Sequence, residues 1–200
     1  MVTSLKLASH MATSLGLSDQ TVIQHVKNLQ REGLLTSTGR GRGAAHMKPS
    51  DVAKLLIAVV GSDLVKDSVA TLRAFGPLVP LSRRPEPHPR IILEDHLAAL
   101  LTSMAGNKDI DIRREDDDLV SRVSLVLMSV GGVKSAQYPR VAIARRIRHG
   151  RGVSALSFAS AGWTEPEISV AEYAAQHAGA GFIIQRHVTY TAMESIAWSI

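Results

Sequence analysis

The reading of the fold turns on "MATSLGLSDQTVIQHVKNLQREGLL", residues 11–35. Upstream of Gly16, the apolar residues Leu5, Ala8, Met11, Ala12 and Leu15 fall at helical spacing and predict a first helix over 5–15. Gly16 ends it, because glycine accepts the left-handed backbone that a sharp turn requires. Ser18 then suits an N-cap, with Asp19 beside it at the positive end of the helix dipole. A second helix is expected over 18–32. Val22, Val26 and Leu29 make its buried stripe, flanked by Ile23, and Gln20, Gln24, Lys27, Asn28 and Arg31 are left outside. Gly33 stops this helix, and "LLTST" is short, apolar and β-prone.

Downstream, "GRGRG" at 39–43 places two arginines among three glycines. Pro49-Ser50-Asp51 opens a third helix, with Ser50 expected as its cap, and "VAKLLIAVVG" is apolar nearly all round, which requires burial. A fourth helix is expected from Ser62 to Phe75, burying Leu64, Val65, Val69 and Leu72 before Gly76-Pro77 stops it. Residues 76–90 contain five prolines, so a stiff linker is expected over 77–90. "IILEDHLAALLTSM" reads as a helix with Leu93, Leu97, Leu100 and Met104 on one face. The acidic run at 109–118 reads as a solvated loop.

The character then changes. Residues 120–130, 140–147 and 153–160 read as strands separated by glycine-containing turns. A helix is expected over 169–179. Residues 182–193 read as a last strand, or as a strand leading into a C-terminal helix. The expected class is therefore α+β. A helical, basic domain would occupy residues 1–76. A mixed domain with an antiparallel sheet, serving dimerisation, sensing or partner binding, would occupy 91–200.

The segment from Met11 to Leu35 resembles the helix-turn-helix of winged-helix DNA-binding proteins, the superfamily that includes MarR-type and GntR-type regulators. The matching residues are Ala12, Leu15-Gly16-Leu17-Ser18, Thr21-Val22, Val26, Leu29 and Gly33-Leu34-Leu35. The resemblance covers about the first 50 residues. It implies that Gly16 makes the turn, Leu17 fills the angle between the helices, and Gly33-Leu34-Leu35 leads into a β-hairpin wing over 36–47. It also implies that helix 18–32 enters the major groove of double-stranded DNA. Ser18, Gln20, Thr21, Gln24, His25, Lys27, Asn28 and Arg31 are then candidate DNA contacts. Gln20 and Gln24 suit adenine, Asn28 suits adenine or a phosphate, and Thr21, Lys27 and Arg31 suit the phosphate backbone. His25 reads as a surface histidine with no partner in preference to a DNA contact. Arg40 and Arg42 would sit at the wing tip, against a minor groove whose narrow stretches attract arginine. The first helix of the usual winged helix has no counterpart before Lys6, so its packing must come from helix 51–60 or from a partner subunit.

Charge agrees with an acidic partner. The net charge is +5, and residues 1–50 hold six Lys/Arg against Asp19 and Glu32. A second basic block, 134–151, holds six Lys/Arg and no acid. It suits a second nucleic-acid surface, a partner for the acidic run, or a solvated sheet face. The absence of cysteine excludes disulfides and thiolate metal sites. The N-terminus lacks a signal-peptide pattern, and no apolar run approaches the ~20 residues of a membrane span, so a cytoplasmic location is expected. The histidines show no metal-ligand spacing, and the phosphate-loop pattern is absent, so neither a cofactor nor enzymatic activity is expected. The expected function is a sequence-specific transcriptional regulator, a repressor in preference to an activator, acting as a homodimer with an effector that the residues do not name. Two alternatives stay open: a phage, plasmid or mobile-element DNA-handling protein, and an enzyme with its site in the C-terminal half.

Overall fold

The computed structural model describes residues 2–37, 46–81, 91–106, 122–131, 141–148, 152–159 and 182–199. Among the described residues up to 106 there are five α-helices: α1 (Ser4–Leu15), α2 (Asp19–Arg31), α3 (Pro49–Gly61), α4 (Ser68–Phe75) and α5 (Leu93–Gly106). Strands β1 (Val79–Pro80), β2 (Arg122–Gly131), β3 (Val141–Arg148), β4 (Gly152–Ala159) and β5 (Phe182–Val188) form one sheet in the order β1-β4-β3-β2-β5. Every pairing in it is antiparallel. A last helix, α6 (Tyr190–Ala197), follows β5, so 182–193 is the second of its two expected readings, a strand leading into a C-terminal helix. The class is α+β, an antiparallel sheet with the described helices packed against the face that carries Leu125, Leu127 and Phe158.

The helices form where side-chain spacing and caps agree. Thr3 caps α1, its Oγ1 accepting from the Lys6 N–H. The buried stripe of α1 is Leu7, Ala8, Met11 and Ala12. Leu5, expected in that stripe, lies in the first turn of α1 and is 64% exposed. Gly16 takes φ 67°, and the Leu17 N–H donates back to the Ala12 carbonyl at 2.9 Å. This closes the helix as expected, but Leu17 is 42% exposed and does not fill the inter-helix angle. Gly33 also takes φ 67° and ends the turn after α2.

α3 is the centre of the core. Leu55, Leu56 and Ile57 are fully buried, under α2, α4 and α5. Its cap differs from the expectation. Lys48 is the N-cap residue, Pro49 is the first helical residue, and Asp51 rather than Ser50 accepts the Lys48 N–H, at 2.9 Å. The fourth helix is shorter than expected. A single 3-10 turn, Val65–Asp67, precedes it, and Leu64 in the connection is 55% exposed. Gly61 permits this sharp reversal, because a Cβ there would lie 2.6 Å from the Thr71 methyl. On α5 the buried line is Leu93, Leu97 and Leu101, with Leu100 and Met104 partly buried beside it.

Packing continues across the expected linker. Leu78 is buried, the Leu93 N–H donates to its carbonyl at 2.8 Å, and Val79–Pro80 pair with β4 at the sheet edge. Thus 78–81 belong to the folded body, while 82–90 lie outside the described residues. One apolar cluster joins residues of α1, α2 and α3 to α5, α6 and the sheet residues Leu125, Leu127 and Phe158. α6 is the wedge in this arrangement. It packs on α1, α5 and β2, and Ser14 Oγ of α1 lies 2.7 Å from Ser195 Oγ. Strand β2, paired on both sides by β3 and β5, is buried on both faces at 125–128. Leu125 and Leu127 join the helical cluster, whereas Val126 and Met128 are buried outside it. The acidic run 109–118 and the expected helix 169–179 lie outside the described residues.

Candidate nucleic-acid interface

α2 has two faces of different chemistry. Ser18 caps it, its Oγ accepting from the Thr21 N–H at 3.1 Å and lying 2.7 Å from Thr21 Oγ1. Asp19 Oδ2 accepts from Ser9 Oγ at 2.8 Å, which ties the start of α2 to α1 across the Gly16 turn. The outer face carries Gln20, Gln24, Lys27 and Arg31, all exposed. At i, i+4, i+7 and i+11 they fall within about 60° of one another around the helix axis. No acid interrupts this stripe.

The other flank is committed to the protein interior. His25, which reads from the sequence as a DNA contact or a partnerless surface residue, is 3% exposed. Its Nδ1 lies 2.7 Å from Ser68 Oγ. Ser68 spends its only hydrogen on the Val65 carbonyl, so His25 Nδ1 carries a proton and donates to the Ser68 oxygen. Burial lowers the pKa of His25 from its usual value, which keeps the ring neutral. Asn28, expected outside, is 7% exposed, and its Nδ2 donates to the Val65 carbonyl at 2.9 Å. At the end of α2, Glu32 pairs with Arg73 of α4 at 3.3 Å. The 3-10 turn and α4 thus hold one flank of α2 from Asn28 and His25 to Glu32.

Arg40 and Arg42 lie outside the described residues, as do 38–45 as a whole, but the stems on both sides are well anchored. Leu35 and Met47 are buried. Thr36 donates to Asp51 through its N–H at 3.0 Å and its hydroxyl at 2.8 Å, and Asp51 also receives the Lys48 N–H. One buried carboxylate, 3% exposed, therefore clasps the chain before and after the Arg/Gly segment. On the far stem His46 forms an antiparallel bridge with Thr3, and the Met47 N–H donates to the Val2 carbonyl at 2.9 Å. Sequence reading missed Asp51. Its signal is an acid at the third position of a helix opened by proline.

Glu94 pairs with Lys54 at 3.4 Å, while the His96 ring lies 5.3 Å from that of Phe158, so these sequence neighbours serve different contacts. Burial lowers the pKa of His96 as well. Arg186 of β5 pairs with Asp63, just after α3. Among the described residues no three His, Asp or Glu side chains come together as a metal site, and no helix is long and apolar enough to cross a membrane. In comparisons with protein-family models, curated proteins and solved structures, nothing matches the chain.

Proposed function

We propose that the protein is a sequence-specific regulator that binds double-stranded DNA through a winged helix-turn-helix over residues 1–76, with α2 entering the major groove. The observation that carries this reading is the exposed Gln20–Gln24–Lys27–Arg31 stripe on α2, opposite a flank fixed by the protein itself. Amides suit base edges, and cationic groups suit phosphates on either side. Two further features support it. The helix follows a tight Gly16 turn and a serine cap. The stems of the Arg40/Arg42 segment are clasped by Asp51 and by Val2–Thr3, as a wing requires. His25 and Asn28 leave the set of proposed DNA contacts, because their polar groups are engaged inside. Ser18 and Thr21 stay at the helix start as backbone contacts. A homodimer would present two such helices to a symmetric site, and a repressor needs no more than that binding.

The test is the salt dependence of binding to duplex DNA. The double variant Lys27→Ala/Arg31→Ala should bind more weakly on all sequences, and its log–log salt slope should fall by roughly one per lost phosphate contact. Unchanged affinity and slope would take this face of α2 out of the mechanism. The same measurement on Arg40→Ala/Arg42→Ala decides whether the wing touches DNA.

A further inference from the structure

Gln24 is not an independent reader of bases. Its Nε2 donates to Asn28 Oδ1 at 3.1 Å, and Asn28 Nδ2 donates to the Val65 carbonyl at 2.9 Å. The direction of this relay follows from its last member. A carbonyl only accepts, so the atom of Asn28 facing Val65 must be the amide nitrogen. The amide oxygen of Asn28 then faces Gln24 and can only accept, so Gln24 must turn its own nitrogen inward. Each amide is oriented by the one beneath it, and the lowest acceptor belongs to backbone held in the 3-10 turn that His25 and Ser68 brace. Asn28 is 7% exposed, so water competes little for these groups.

The consequence for DNA is specific. An unconstrained glutamine amide can present two N–H donors, or one donor and its oxygen. Gln24 has one N–H spent on Asn28, which leaves one N–H and the oxygen for a base. Adenine offers one acceptor, N7, and one donor, the 6-amino group, and so matches that pair. Guanine offers two acceptors, N7 and O6, and would need both N–H groups. We infer that Asn28 is a buried positioning residue that makes Gln24 read adenine in preference to guanine. This rests on the proposed entry of α2 into the major groove.

The experiment begins with a site selected by the wild-type protein from random duplex DNA. Selection with Gln24→Ala locates the base pair that Gln24 reads, as the position whose preference disappears. At that position, replacing adenine with guanine should weaken wild-type binding roughly ten- to a hundredfold. Replacement with 7-deazaadenine or with purine, which lacks the 6-amino group, should each weaken it too. In Asn28→Ala the adenine-to-guanine ratio should fall to within about threefold, with preferences elsewhere and the salt slope kept. A merely structural role for Asn28 would instead lower affinity on all sequences alike, and that result overturns the inference. If Asn28→Ala fails to fold by circular dichroism, the base replacements on wild-type protein decide. Guanine bound as well as adenine overturns the inference, as does a Gln24→Ala variant with unaltered preferences. Either result leaves DNA binding intact. A wild-type protein that selects no sequence would sink the DNA reading itself.

Discussion

The two flanks of α2 differ in what they spend their polar groups on. On the inner flank, His25 and Asn28 bond to Ser68 and Val65, and Glu32 pairs with Arg73, so α2 is fastened to the 3-10 turn and α4. On the outer flank, Gln20, Lys27 and Arg31 face solvent, and Gln24 gives one N–H inward while remaining exposed. Residues of similar polarity, a turn apart, therefore have opposite duties. Polarity alone does not mark a binding face. What marks it is polarity left over after the interior has been satisfied.

Breaking the inner side should cost stability first. Leu29 is fully buried between these flanks, so Leu29→Ala should destabilise the fold by roughly 2–5 kcal/mol, measured by chemical denaturation. A loss well under that range would mean that α2 is not packed as described. The next effect is pH-dependent and smaller. The folded-state pKa of His25 is lowered, so as pH falls through the unfolded value near 6.5 the unfolded chain takes a proton that the folded one refuses. Stability from this group is complete above that value and declines below it. His96 acts in the same direction. Above the carboxylate range, His25→Gln should flatten part of that slope and leave the His96 part. An unaltered slope would show that His25 titrates as it does in the unfolded chain. The smallest stability effect belongs to the outer side. Lys27→Ala/Arg31→Ala should shift stability by no more than about 0.5 kcal/mol while weakening DNA binding. A large stability loss there would erase the contrast between the flanks.

Much of this architecture was legible in the residues. The Gly16 turn, the Ser18 cap, the all-apolar α3 and the β-prone runs between glycine turns placed α1, α2, α3, α5 and strands β2 to β5 to within a few residues. His25 was legible too, in principle. It lies at i+3 from Val22 and i−4 from Leu29, on the same side as that buried pair, but its polarity drew the reading outward. Asn28 was harder to place. It sits at the border between stripe and solvent, and its fate depends on the Val65 carbonyl, 37 residues away in sequence. The break before α4 was hidden for the same reason. "SDLVKDSVA" carries helical spacing, but Ser62 and the 3-10 turn are set by how Gly61 approaches Thr71. Packing of 78–81 against α5 and β4 was masked by proline content, since Pro80 is compatible with a short edge strand. Local chemistry reveals caps and turns, whereas the partners that meet across long separations emerge only from the fold.

The central claim is that the exposed stripe of α2 reads DNA sequence. Selection of bound duplexes from a random pool by the full chain tests it most directly. The account predicts enrichment of a consensus, with two inverted half-sites if the protein binds as a dimer, and loss of preference at one position of each half-site in Gln24→Ala. Binding that falls with salt but enriches no sequence, or no binding at all, would contradict it.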